Sequence, residues 1–242
     1  MKLNLNNKNI IITGGTRGIG RDIAEKFIDC GSNVYITGTK DVKSFKSKLK
    51  IKDYIQLNSY DQFSVNNFYN TVNKINKIDI LINNMGINKI DHIKDIKSKD
   101  FDDLINTNLK IPFYLSQLVS KKMIKRKKGK ILNISSIWSI VSKEKRVSYA
   151  TSKSGLNGLT RSLAVDLGKY NILVNSLSPG IVNTDLTKRI LGSEINSTKK
   201  LIPLKRLANV NEISSTAIFL CSDLNTYITG QNIMVDGGYT VI

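Results

Sequence analysis

The chain has 242 residues, 37 Lys and Arg against 19 Asp and Glu, a net charge of +18 and 40% hydrophobic residues. That composition supports a packed core and excludes a disordered or collagen-like chain. No apolar run approaches the ~18 residues of a membrane span, and residues 1–7 lack the apolar stretch of a secretory leader, so a cytoplasmic location is expected.

Two cysteines, Cys30 and Cys221, form no CxxC pair, and His92 is the single histidine. A disulfide framework, a His/Cys metal centre and a Ser-His-Asp triad are therefore not expected. Cys221 lies in an apolar run and is read as buried and reduced; His92, in a polar loop, is read as exposed. The positive charge raises the prospect of a nucleic-acid or acidic protein partner. Lys, Asn and Ile are abundant throughout, however, which points to a general compositional bias rather than a nucleic-acid footprint. The densest basic run, residues 121–128, closes a helical pattern, where cations complement the C-terminal dipole. It is read as a solvated helix end in preference to a docking patch.

In chain order, residues 9–13 (Asn-Ile-Ile-Ile-Thr) read as a buried parallel strand. A glycine-rich turn, Gly14-Gly15-Thr16-Arg17-Gly18-Ile19-Gly20, follows at once, and residues 21–28 have helical spacing. Strand, glycine turn and helix together form a phosphate-binding start: the backbone comes close to a pyrophosphate and the helix N-terminus attracts it. Residues 34–37 give a second strand, followed by Gly38-Thr39-Lys40 with no acid for a ribose hydroxyl. Arg17 and Lys40 are placed to meet a 2′-phosphate, so NADP(H) is expected ahead of NAD(H).

Further strands are read at 54–57, 78–82, 130–134, 172–177 and 232–235. Helices are read at 62–75, at 99–125 with a kink at Pro112, and around Tyr149, ending near Gly168. Strands alternating with helices predict one doubly wound parallel α/β sheet of about seven strands with helices on both faces, spanning residues 1–242 as a single domain. Residues 183–209 are polar and strand-free, and read as a substrate lid.

Tyr149 and Lys153 are four residues apart, on one helix face. The lysine charge is expected to favour the phenolate and lower the tyrosine pKa, so that Tyr149 exchanges a proton near neutral pH. Taken alone, such a pair is more often an ordinary solvated one; the rest of the chain decides.

The residues Thr13-Gly14-x-x-x-Gly18-x-Gly20, Asn83-Asn84-x-Gly86, Asn108, Ser136, Tyr149-x-x-x-Lys153 and Pro179-Gly180 with Thr184 resemble the short-chain dehydrogenase/reductase family over nearly the whole chain. The resemblance implies a Rossmann-like oxidoreductase. Tyr149 would be the general acid and Ser136 would hold the carbonyl oxygen. Lys153 would tune Tyr149 and meet the nicotinamide ribose, and Asn108 would hold a relay water. Carried over in the same way, the cofactor would meet Gly14, Thr16, Arg17, Gly18, Ile19, Gly20, Thr39, Lys40, Asn84, Gly86, Tyr149, Lys153, Pro179 and Gly180. Asn58 would lie by the adenine, and Ile181 and Thr184 by the carboxamide. A homotetramer is implied as well.

Within the family the chain looks most like the bacterial 3-oxoacyl-acyl-carrier-protein reductases, at Asp79-Ile80-Leu81-Ile82-Asn83-Asn84, Leu173-Val174-Asn175 and Tyr227-Ile228-Thr229-Gly230-Gln231. That likeness implies a 3-oxoacyl thioester substrate on acyl carrier protein. The alternative is a reductase of a sugar, polyol or other small polar ketone; a basic binding protein that has kept the fold is the non-enzyme alternative. Three departures bear on the choice. Met85 stands where alanine is common, Trp138 follows Ser136 closely as a substrate-side residue, and residues 143–146 (Lys-Glu-Lys-Arg) place a charged rim before Tyr149. A bulky indole and a charged rim favour a polar substrate or a narrow entrance.

Overall fold

The computed structural model describes residues 5–241. The β-branched runs become seven strands: β1 (Asn9–Ile12), β2 (Asn33–Gly38), β3 (Asp53–Gln56), β4 (Ile80–Asn83), β5 (Gly129–Ile134), β6 (Ile172–Pro179) and β7 (Asn232–Val235). All pair in parallel in the order β3-β2-β1-β4-β5-β6-β7, as the alternating pattern predicts. The order reverses between β1 and β4. Crossovers leave these two strands in opposite directions and open a crevice at their carboxyl ends.

Alternate residues of each strand serve two separate cores. On β1, Ile10 and Ile12 pack with Ile23 and Phe27 of α1 (Gly18–Asp29) and with Ile213 and Ala217 of α8 (Val210–Cys221). Ile11, pointing the other way, packs with Phe68 of α2 (Gln62–Lys74) and Leu115 and Val119 of α4 (Ile111–Arg126). A strand buried on both faces has no polar alternation to show, which is why β1 reads as a continuous apolar run. Each such side chain contributes roughly 1.5–3 kcal/mol on leaving water.

Three elements differ from the sequence reading. The helical stretch around 99–125 is not one helix kinked at Pro112. It is α3 (Ser98–Ile105), a π-turn (Asn106–Lys110) and α4, with Pro112 in the first turn of α4. A proline there has no N–H to give the Asn108 carbonyl, and the irregularity falls in the π-turn just upstream. Second, α8 was not recognised as a helix. Its signal was a capping box, in which Asn209 and Glu212 satisfy each other's backbone N–H groups. Third, residues 183–209 hold two short helices, α6 (Asp185–Leu191) and α7 (Ile195–Lys200), rather than irregular chain alone. The remaining helix, α5 (Val147–Gly168), carries Tyr149 and Lys153.

At the opposite, amino-terminal edge of the sheet, Asp79 fastens three segments together. It accepts hydrogen bonds from the Asn9 N–H at 3.0 Å and from Arg126 at 2.8 Å, with Lys77 at 3.4 Å. Arg126 also donates to the Ile78 carbonyl. Part of the basic run at 121–128 is thus structural; Lys121, Lys125 and Lys127 remain exposed, as expected of a solvated helix end. Burial alone would raise the Asp79 pKa, but the Asn9 N–H, Arg126 and Lys77 outweigh it and hold it below its ordinary value. Among the described residues, no helix is long and apolar enough to cross a membrane.

Asp79→Asn is expected to lower the unfolding free energy by about 2 kcal/mol at pH 7, the size of a lost charged hydrogen bond, read by urea denaturation. With a folded-state pKa below 3.8, the carboxylate's contribution is complete above about pH 4 and is lost as pH falls through that value. The gap between variant and wild type should therefore narrow only below about pH 4; an equal gap at pH 7 and pH 3 would contradict this account.

Candidate active site

The crevice is a cleft of about 960 Å³ whose walls include the glycine turn, the loops after β4 and β5, the start of α5, and Pro179–Thr184. Its floor is set at the β1/β4 switch. Gly14 has φ +66, and a Cβ there would stand 3.1 Å from the Met85 Cα; at Gly20 a Cβ would collide with the Asn84 amide and the Gly14 carbonyl. Only glycine lets the turn approach this closely. The Asn84 amide donates to the carbonyls of Thr13 at 2.9 Å and Gly14 at 3.2 Å. The Thr13 hydroxyl accepts from the Asn84 and Met85 N–H groups, each at 3.0 Å.

The first turn of α1 holds no acid, and Arg17, its N-cap residue, makes no side-chain capping bond. The helix thus presents free N–H groups and a positive dipole end to the cleft. Arg17, Thr39 and Lys40 are exposed along the same wall, and neither cation forms an ion pair with a described residue. Leu57, Ser59 and Tyr60 line the far end. Asn58 lies between them without facing the cleft: its backbone N–H donates to Ser64 and its side chain accepts from the Tyr60 N–H.

On the other side, Ser136, Trp138, Tyr149 and Lys153 converge on the cleft. Ser136 ends the β5 exit and is 7% exposed; its hydroxyl accepts from the Trp138 N–H at 3.3 Å and hydrogen-bonds Tyr149. Lys153 is 3% exposed, and its ammonium donates to the Ile134 carbonyl at 2.8 Å. Burial pushes its pKa down to about 8.

The expected depression of the Tyr149 pKa by Lys153 is not what the structure shows. Burial raises it, and the opposing influences are the Ser136 hydrogen bond and the charge of Arg146. The reason is geometric: Lys153 Nζ lies 5.8 Å from the Tyr149 ring centroid and is directed to the Ile134 carbonyl.

Asn108, fully buried in the π-turn, does not line the cleft but braces it. Its amide donates to the Ile87 carbonyl at 2.9 Å and the Ser152 hydroxyl at 3.0 Å, and its oxygen accepts from the Ile87 N–H at 2.9 Å. One carboxamide thus joins the loop after β4 to α5. Beneath it, Asn83 donates to Asn133 at 2.8 Å and Asn133 to Thr160 at 2.8 Å, tying β4, β5 and α5.

The charged rim at 143–146 divides. Lys143, Glu144 and Lys145 are exposed, whereas Arg146 is 9% exposed. His92 is not simply exposed; its Nδ1 lies 3.4 Å from Glu144. Cys221 is buried and its thiol is pushed up to about 12. Both stems of the 183–209 segment are paired: Ala208 donates to the Ile181 carbonyl at 3.0 Å, and Asn183 donates to the Ala208 carbonyl at 2.8 Å. Thr184, Thr187 and Ile190 of this segment reach the cleft.

A glycine turn opening a helix at the switch point, facing a Ser-Tyr-Lys group on a second helix, defines a dinucleotide-type α/β oxidoreductase. The family model described as enoyl-(acyl carrier protein) reductase matches residues 14–240, and the chain belongs to the short-chain dehydrogenase/reductase family. It is 38% identical to a 3-oxoacyl-[acyl-carrier-protein] reductase of Aquifex aeolicus, over 98% of this chain and 99% of that protein. It is 34% identical to an NAD-dependent glycerol dehydrogenase of Listeria innocua, over 98% and 96%. Among solved structures, a gluconate 5-dehydrogenase from Burkholderia cenocepacia in complex with NADP and tartrate superposes with a TM-score of 0.90 at 29% identity, covering 100% of this chain and 98% of that one.

A lysine with a folded-state pKa near 8 against 10.5 when free binds fewer protons folded than unfolded between those values, so its burial makes stability rise with pH across that window. Lys153→Met should flatten the rise in urea midpoint from pH 8 to 10.5 relative to wild type. Parallel curves for the two proteins would show that Lys153 is not discharged by burial.

Proposed function

We propose that the protein is an NADP(H)-dependent reductase that converts a 3-oxoacyl thioester carried on acyl carrier protein to its 3-hydroxy product. The single observation that carries the reading is the convergence of Ser136, Tyr149 and Lys153 on one wall of a cleft whose other wall is the glycine turn. The full-length similarity to several 3-oxoacyl-[acyl-carrier-protein] reductases supports the substrate class.

The residues present fit the cofactor. The uncapped, acid-free start of α1 and Gly14–Gly20 suit a pyrophosphate, Arg17 and Lys40 a 2′-phosphate, and Asn84, Gly86 and Pro179–Thr184 the nicotinamide end. When bound, the nicotinamide supplies a hydride to the carbonyl carbon. Tyr149 gives its hydroxyl proton to the carbonyl oxygen, and Ser136 holds that oxygen by a hydrogen bond while negative charge develops on it. Hydride and proton together account for the alcohol. Lys153, with a pKa near 8, stands ready to return a proton toward Tyr149. Pro112 has no N–H to give the Asn108 carbonyl four residues back, which suits that carbonyl to hold a relay water. The segment 183–209, with both stems paired beside the cleft, serves as the lid.

The exposed lysines 121, 125 and 127 offer an acidic carrier protein a docking surface. A cytoplasmic location and a homotetramer complete the reading: the two cysteines are free thiols, and apolar groups such as Phe113, Tyr114 and Val165 stand exposed on α4 and α5. The polar wall formed by Trp138, Lys143 and Arg146 favours a second reading, a dehydrogenase of a small polar ketone or polyol.

Purified protein, NADPH and a 3-oxoacyl thioester, presented on carrier protein and on a short pantetheine mimic, form the direct test. Turnover only of small polyols or sugars would select the second reading. Tyr149→Phe should cut reduction by about 10²–10⁴-fold, the usual worth of a positioned general acid, with NADPH affinity within about threefold of wild type by fluorescence titration. Replacing both Arg17 and Lys40 with Ala should weaken NADPH binding at least about tenfold while changing NADH affinity little, as expected when the cations meet a phosphate dianion. Equal losses for both nucleotides would remove them from that role.

A further inference from the structure

Arg146 brings to the cleft a charge that the reaction above does not use. It is 9% exposed, and its guanidinium makes no hydrogen bond or ion pair with any described residue; Nη1 is buried without a partner. Its carbon Cζ stands 5.7 Å from the centroid of the Trp138 ring, which meets Tyr239 edge-on at 5.9 Å, and all three residues line the cleft. Glu144, close in sequence, is turned outward to His92. Asn88, on the loop after β4, also lines the cleft and leaves its side-chain oxygen buried and unpaired.

A buried guanidinium without an anion is costly, and proteins tolerate one chiefly where a ligand completes the pair. The aromatic face of Trp138 holds the guanidinium in place without neutralising it. Arg146 is the N-cap residue of α5 and Tyr149 lies in its first turn, and both line the cleft. An anion at Arg146 therefore shares one pocket with a carbonyl at the Tyr149 hydroxyl. A 3-oxo carboxylate brings both groups to such a pocket on one short skeleton: carboxylate, one methylene, ketone. A planar guanidinium binds a carboxylate through two parallel hydrogen bonds, more strongly than it binds a neutral thioester oxygen in the same position.

We propose that Arg146 is the anion-recognising residue of the substrate pocket, and that the enzyme takes free 3-oxo carboxylates with the carboxylate held by this guanidinium. The proposal rests on Tyr149 as the proton donor at the reacting carbonyl. It adds a substrate class to the thioester, which shares the same skeleton but presents a neutral oxygen.

The test compares acetoacetate with acetoacetamide, which differ at the group that would face Arg146. Calorimetric titration into enzyme loaded with NADP⁺ measures binding alone, because the oxidised cofactor cannot reduce either compound. Wild type should bind acetoacetate at least tenfold more tightly than the amide. Arg146→Met should bring the two within threefold, and Arg146→Lys should keep part of the preference, with circular dichroism confirming that both variants fold. An absent preference in wild type, or one that survives in Arg146→Met, overturns the proposal. NADPH oxidation by wild type with an acetoacetyl thioester runs alongside: no turnover there with the preference intact rejects the reductase reading while supporting the anion pocket.

Discussion

The close approach of the glycine turn to the exit of β4 is the constraint on which the rest of the site depends. Gly14 and Gly20 have no room for a side chain, and Thr13 and Asn84 fix the contact with four hydrogen bonds between segments about 70 residues apart. This clamp sits where the strand order reverses, so it places the uncapped start of α1 at the mouth of the crevice. A wider turn would move the α1 N-terminus away from Asn84 and Gly86, and the two halves of the cleft would no longer address one ligand.

A second layer of polar contacts carries that position to the catalytic helix. Asn83, Asn133 and Thr160 form a buried chain beneath the cleft, and Asn108 ties Ile87 to Ser152. The Asn83 side-chain oxygen is buried without a partner among the described residues, but the bonds that are made join separate elements and limit their arrangements. The π-turn contributes by bringing Asn108 into this network just ahead of Pro112, in the first turn of α4. The chemistry then follows from burial. Lys153 is desolvated enough to sit near a pKa of 8, and Tyr149 is raised by the same burial. Burial dominates at both groups, and at Tyr149 the Ser136 hydrogen bond and the Arg146 charge oppose it.

Much of the architecture was legible because it rests on local periodicity. Runs such as 9–13 and 130–134 are apolar on both faces because both faces are covered, and the glycine turn between a strand and a helix has few other uses. The spacing of Tyr149 and Lys153 put both on one helix face whatever the fold. The α8 helix escaped notice because its apolar residues surround it on several sides and only the Asn209–Glu212 box marks its start. The irregularity expected at Pro112 lies a few residues upstream, in the π-turn that precedes it.

The sequence by itself determined the order of the strands, the glycine turn ahead of α1 and the pairing of Tyr149 with Lys153, and Ser136 joined them through the family resemblance. These depend on residue type and on separations of a few positions. Tertiary structure alone decided that Asn108 braces Ile87 and Ser152, that burial lowers the Lys153 pKa to about 8, and that Arg146 is buried and unpaired while Lys143, Glu144 and Lys145 stay in water. These properties are set by solvent access and by partners distant in the chain. A run of four charged or basic residues has one composition, but its members meet different dielectric surroundings once the chain folds.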